Sequence, residues 1–152
     1  YDITPGVSAA FGAAASLRAE YTLPDVSQTL IITRMSGKTK VPEKESIRSL
    51  ASHNATMAIY LSASLSANLQ NELICGGYNE NTPVAICVKA TWDDEKIFRC
   101  TVGNLHDTVE KNNIKKTAVF IVGDSINPSN YAKSRLYAPD FSTEFRMAKE
   151  DN

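Results

Sequence analysis

Five short apolar runs, parted by segments that read as helices or turns, limit the fold of this sequence more than any other feature. They are SQTLIITRM at 27–35, TMAIYL at 56–61, VAICVKAT at 84–91, KIFRCT at 96–101 and AVFIV at 118–122. Their length and β-branched content fit strands. The first is apolar enough for an interior strand. Asp93, Asp94 and Glu95 form a polar turn between the third and fourth runs, so these two can pair as a hairpin.

The intervening segments carry helix signals. VSAAFGAAASLRAEY at 7–21 has small residues almost all round, which predicts a buried, closely packed helix starting near Ser8. Leu23-Pro24-Asp25 breaks it. Pro42 and the acids Glu43 and Glu45 open a helix through about Ser52. Ser62-Ala63-Ser64 can cap another that runs to about Cys75, where Gly76 and Gly77 end it by tolerating positive φ. A short helix follows over 104–112, and Gly123-Asp124 ends the last strand. The expected fold class is α/β: a single domain over 1–124 with a mixed, about five-stranded sheet flanked by helices. From 125 to 152 the residues follow no period, and an irregular, partly extended or disordered tail is expected.

A chain of 152 residues with 43% hydrophobic content supports one core. The net charge of −1 argues against nucleic acid as a partner, because displacing counterions from phosphates takes a basic excess. Cys75, Cys87 and Cys100 lie in apolar surroundings without metal-ligand spacing and read as buried free thiols in a reducing compartment. No apolar run approaches the roughly 18 residues that span a bilayer. A soluble, cytoplasmic protein with no membrane partner is expected. The sequence opens at Tyr1, without methionine, and reaches Pro5-Gly6 at once, so a start inside a longer reading frame is also expected.

The motifs of dinucleotide, P-loop, hydrolase and zincin sites are missing. His53 and His106 stand alone at predicted helix ends and read as surface or capping residues. Three segments could hold a ligand. Pro5-Gly6-Val7-Ser8-Ala9 delivers the chain into a small-residue helix whose backbone a ligand could approach, although close packing on a sheet explains it more simply. The strand end at 57–63 (MAIYLSA) lies where open α/β sheets place ligands, or is simply a helix cap. Arg34, Lys38 and Lys40 concentrate cations in one loop, which suits a polycarboxylate or phosphate, or makes a solvated basic turn. No metal ligand set and no catalytic residue can be named.

PGVSAAFGAAA, LPDVSQTLIITRMSGKTKVPEKE, ATMAIYLSAS and TPVAICVKATWDDEKIFRCTVGNL follow one another in the order seen in the C-terminal domain of the tetrapyrrole methylases. The pairing of SQTLIITR with VPEKE resembles the precorrin-4 or cobalt-precorrin-4 C11-methyltransferase branch of that family. The resemblance runs from about Pro5 to Gly123. It implies S-adenosylmethionine as cofactor, bound between two α/β domains, and a tetrapyrrole substrate on the cobalamin (vitamin B12) pathway. By position, Ser8, Ala9, Leu61 and Ala90 correspond to cofactor-binding residues. Relatives often have methionine at the position of Leu61, which keeps an apolar wall, and glycine at that of Ala90, which slightly narrows the room. Arg34, Lys38 and Lys40 then acquire carboxylates to bind. The family's glycine-rich GPGDP-type loop belongs to an N-terminal domain absent from this chain, so the fragment alone is expected to be inactive. A homodimer is expected. The rivals are another member of the superfamily with a different target atom, and a non-catalytic dimerisation or binding module of the same fold.

Overall fold

A computed structural model describes residues 1–60, 62–128 and 141–147. All five runs contain strands: β1 (Leu30–Arg34), β2 (Thr56–Tyr60), β3 (Pro83–Val88), β4 (Lys96–Thr101) and β5 (Ala118–Val122). They make one mixed sheet in the order β1-β2-β5-β3-β4. β1 and β2 are parallel. β5 lies antiparallel to both β2 and β3, between them, and β3 and β4 form the expected hairpin.

One expectation fails here. Among the described residues the first run supplies an edge strand, paired only with β2, and its Ile32 is 50% exposed. Its apolar character has another cause. Leu30 packs on one side of the sheet and Ile31 on the other, so both faces of the strand are partly covered although, among the described residues, no strand pairs with its outer edge.

Alternation along the central strands builds two cores. Met57, Ile59, Ile86 and Phe120 point to a face covered by α2 (Ile47–Ala51), α3 (Ser66–Gly76) and α4 (Leu105–Lys111). Ala58, Ala85, Cys87 and Ile121 point to the other, covered by α1 (Ala9–Leu17). On α1 the residues turned inward are Ala10, Ala13 and Leu17, the i, i+3, i+7 spacing of a helical stripe. Small residues on both sides let the helix approach the sheet closely.

Helix ends follow local chemistry. Ser8 is extended, and its Oγ accepts the Ala10 N–H at 3.3 Å, which starts α1; Arg18, with φ of 52°, ends it sooner than expected. The helix expected from Pro42 to Ser52 is interrupted. Glu43–Glu45 form a single 3-10 turn, then Ser46 adopts ψ of 150° and caps α2 by accepting the Ser49 N–H at 3.2 Å. A serine so placed offers the backbone an alternative to continuing the helix. At the end of α3 the two glycines do different work. Gly77 takes φ of 118°, whereas Gly76 is helical and lacks a Cβ because one would stand 2.5 Å from that of Ala51.

Three further readings are refined. Of the cysteines, Cys87 is buried and Cys100 half-buried, but Cys75 is exposed because the last turn of α3 carries it to solvent. His106 is half-buried and joins helices: its ring Nδ1 lies 2.9 Å from Ser66 Oγ and its N–H donates to Gln70 Oε1 at 2.9 Å. Ser125 and Ile126, the first residues of the expected tail, are core residues at 2% and 5% exposure. Residues 129–140 and 148–152 of that tail lie outside the described residues. Among the described residues no helix is long and apolar enough to cross a membrane.

Candidate ligand pocket

Because β5 runs against its neighbours, one rim of the sheet collects the carboxyl ends of β1, β2 and β3 and the amino end of β5. A pocket of about 400 Å³ opens there, on the α1 side, within the ~300–1,000 Å³ usual for small-molecule sites. Its walls are the start of α1 at Ala9, the strand ends at Tyr60 and Cys87, the loop through Ala90 and Trp92, and the approach to β5 at Lys116 and Thr117.

Tyr60 fixes the first wall. Its Oη accepts the Ala10 N–H at 2.7 Å and shares a hydrogen bond of 2.7 Å with Ser8 Oγ. A free amide at the helix start is thereby satisfied by the strand end. Ser62, fully buried, donates its hydroxyl to the Tyr60 carbonyl at 2.6 Å. Burial of Cys87 beneath the pocket pushes its thiol up to about 11, with the Glu95 carboxylate adding to the rise and Arg99 opposing it. A thiol held protonated is an apolar floor, not a nucleophile.

The opposite wall is backbone in unusual conformations. Lys89, Thr91 and Thr117 have φ of 51°, 69° and 56°, a region non-glycine residues rarely enter, least of all a β-branched one. The Lys89 N–H donates to the Thr117 carbonyl at 2.8 Å and joins the two loops. Glu95 holds the bend: its Oε2 accepts both the Thr91 N–H and the Ser16 hydroxyl at 2.6 Å, and these bonds hold its carboxyl below the usual range. Lys89 is paired with Asp94 and places its Nζ 5.7 Å from the centre of the Trp92 ring.

Of the residues singled out from sequence, Ala9 and Ala90 face each other's pocket, and Ser8 stands behind the wall, bound to Tyr60. Leu61 lies outside the described residues, between Tyr60 and Ser62, which both line the pocket. Arg34 and Lys38 line a neighbouring groove of about 560 Å³ that shares Ser64 with the first. Lys40 is not in that lining. The Arg34 guanidinium donates to the carbonyls of Met35, Thr39 and Lys40 at 3.1, 3.0 and 3.4 Å, so it closes its own loop as well as facing the groove.

Tyr60 lies in the strand end singled out at 57–63, though without a role of its own; Trp92, Lys116 and Thr117 were not foreseen. The one signal for them was the single tryptophan of the chain, set beside the polar turn 93–95 where no core would want it. Among the described residues no group of three or more His, Cys, Asp or Glu side chains is placed to hold a metal.

Comparison with known proteins gives this pocket a context. A cobalt-precorrin-4 C(11)-methyltransferase of Methanocaldococcus jannaschii is 54% identical over 97% of the chain, which spans 57% of that protein. One from Priestia megaterium is 45% identical over 95% of the chain, and a precorrin-4 C(11)-methyltransferase of Pseudomonas aeruginosa is 40% identical over 96%. The chain spans 57% and 58% of these two. The X-ray structure of a cobalt precorrin-4 methyltransferase superposes with a TM-score of 0.81 at 46% identity, over 84% of this chain and 53% of that one. At 13% identity, a Thermus thermophilus uroporphyrin-III C-methyltransferase, solved with S-adenosyl homocysteine, shares the fold with a TM-score of 0.64, over 82% of this chain and 53% of its own. The sequence pattern of the Tetrapyrrole (Corrin/Porphyrin) Methylases matches residues 1–106. With well over half of its length matched by that pattern, and its fold shared with solved members, the chain belongs to the tetrapyrrole methylase family.

Proposed function

We propose that this chain supplies one wall of an S-adenosylmethionine site in an enzyme that methylates C11 of cobalt-precorrin-4, on the route to cobalamin. The observation that carries the reading is 54% identity over 97% of the chain to a protein named for that reaction. The relatives at 54% and 45% identity both bear the cobalt-substrate name, which favours that form over metal-free precorrin-4.

The pocket fits such a cofactor. Ala9 and Ala90 present no bulk beyond Cβ, so a ligand can lie against backbone on two sides. Apolar walls with a few fixed polar groups suit a nucleoside. The bound cofactor would supply an already activated methyl group, so the protein gains most by alignment of methyl, carbon and departing sulfur. That accords with a pocket whose one thiol is held neutral and whose tyrosine is spent on a helix start. Ser8 serves by fixing Tyr60, and Leu61 is assigned to the cofactor by its position in the family pattern alone. Arg34 and Lys38, in the adjoining groove, bind substrate carboxylates, with Lys40 a looser contact. The protein works as a cytoplasmic homodimer.

The test is product analysis. The full-length protein, given cobalt-precorrin-4 and S-adenosylmethionine, should yield a product heavier by one methyl, with NMR placing the new carbon at C11. Methylation at another carbon would overturn the assignment within the family. No methylation of any tetrapyrrole would overturn the enzymatic reading.

A further inference from the structure

We infer that Trp92 is a stacking platform for a flat, conjugated ring in this pocket, presented by a loop whose strained shape is held for that purpose. The inference rests on the cofactor-site reading and adds a contact that reading does not assign.

Three observations meet at Trp92. The side chain is 60% exposed although it lines the pocket, an unusual position for the residue with most apolar surface to lose. It follows two residues with φ of 51° and 69°, Lys89 and Thr91, on either side of Ala90. Such conformations are unfavourable for residues with a Cβ and persist only where the surroundings over-determine them.

Here the surroundings do so. Glu95 Oε2 ties the Thr91 amide to Ser16 of α1, the Trp92 N–H donates to the Lys89 carbonyl at 3.0 Å, and the Trp92 carbonyl accepts from Glu95 at 3.0 Å. Gly12 of α1 makes room, since a Cβ there would come within 3.1 Å of Thr91 Cγ2. Lys89, paired with Asp94, places its Nζ over the ring, 5.7 Å from its centre. A turn serving only to join β3 to β4 needs neither the strain nor a tryptophan held to solvent.

A flat ring can come from two sources: the adenine of the cofactor or the conjugated part of the tetrapyrrole. The variants Trp92→Ala, Trp92→Phe and Glu95→Gln in the full-length protein separate them. Calorimetry gives Kd for S-adenosylhomocysteine, and initial rates give KM for the tetrapyrrole. Trp92→Ala should weaken one of these constants about tenfold, the range of single aromatic–base stacks, and Trp92→Phe should restore most of it. Glu95→Gln, which keeps the ring and loosens the loop, should fall between. The constant that moves identifies the ring. Binding should also quench the emission lost in Trp92→Phe, a readout on wild-type protein that stands even if the alanine variant folds poorly. Unchanged constants in Trp92→Ala with normal wild-type binding would overturn the platform alone. A wild-type protein that binds no S-adenosylhomocysteine would overturn the cofactor site with it.

Discussion

The hydroxyl of Tyr60, at the last position of β2, accepts the backbone N–H of Ala10 in the first turn of α1 at 2.7 Å. The end of a strand is thus joined to the start of the helix on its own face, and the pocket wall at Ala9 depends on that joint. Tyr60→Phe should lower stability by about 1 kcal/mol, the usual net worth of a lost hydrogen bond. Urea unfolding measures that loss. Because Ala9 moves with the helix start, affinity for S-adenosylhomocysteine should fall as well, and unaltered affinity would show that Ala9 is positioned without Tyr60.

Gly76 predicts a larger effect. A Cβ there would meet Ala51 Cβ at 2.5 Å and the Arg48 carbonyl at 2.6 Å, so α2 and α3 must part to admit it. Gly76→Ala should destabilise by about 3 kcal/mol, at the upper end of ordinary overpacking. Gly6→Ala, with nothing within 4 Å of the new carbon, is the matched control and should unfold like wild type.

Replacing Ala90 with leucine should block cofactor binding in the full-length protein and shift Tm by only a few degrees. The residue is half-buried at the pocket wall, so the added carbons enter the pocket before they enter the core. Calorimetry beside a melting curve checks both halves. A collapsed fold would place Ala90 in the core instead.

Arg34→Ala should raise KM for the tetrapyrrole about tenfold or more, as for a lost charged hydrogen bond, with little change in Kd for S-adenosylhomocysteine. The guanidinium also closes its own loop through three carbonyls, so part of the loss would be loop order. Lys38→Ala removes a cation of the same groove without touching those bonds. A smaller rise in KM there supports carboxylate binding, and no rise assigns Arg34 to the loop alone.

The raised thiol of Cys87 predicts a pH dependence. Between about 9 and about 11 the unfolded chain has released this proton while the folded chain still holds it. The folded state therefore binds more protons in that window, and stability falls as pH rises through it, by on the order of 2 kcal/mol in all. Tyr21 and Tyr78, also raised by burial, act in the same direction at higher pH. Cys87→Ala should flatten the slope of unfolding free energy between pH 9 and 11, and an identical slope would contradict the assignment.

Sequence carried the strands well because each is a local pattern. β4 and β5 match the runs at 96–101 and 118–122 residue for residue. Strand order was not legible: whether Leu30–Arg34 is an edge or an interior strand depends on what lies beyond it, which its own residues do not encode. The site divides the same way. Ala9 was visible as a small residue after the Pro5-Gly6 turn and Ala90 only through its place in the family pattern, and both line the pocket. Trp92 was hidden because its position follows from positive φ at Lys89 and Thr91, and those follow from a carboxylate four residues later gripping a helix on the far side of the loop.

The place of β5 has a consequence in time. β1 with β2 and β3 with β4 are two pairs that no strand pairing joins until β5 slides between them, and β5 is the last of these five to be made. A chain emerging from the ribosome must keep two exposed half-sheets apart from other strands until Val122 has left the exit tunnel. The final seam to close is also the one that brings Thr117 to Lys89, so the pocket's far wall comes into being at the moment the sheet becomes whole.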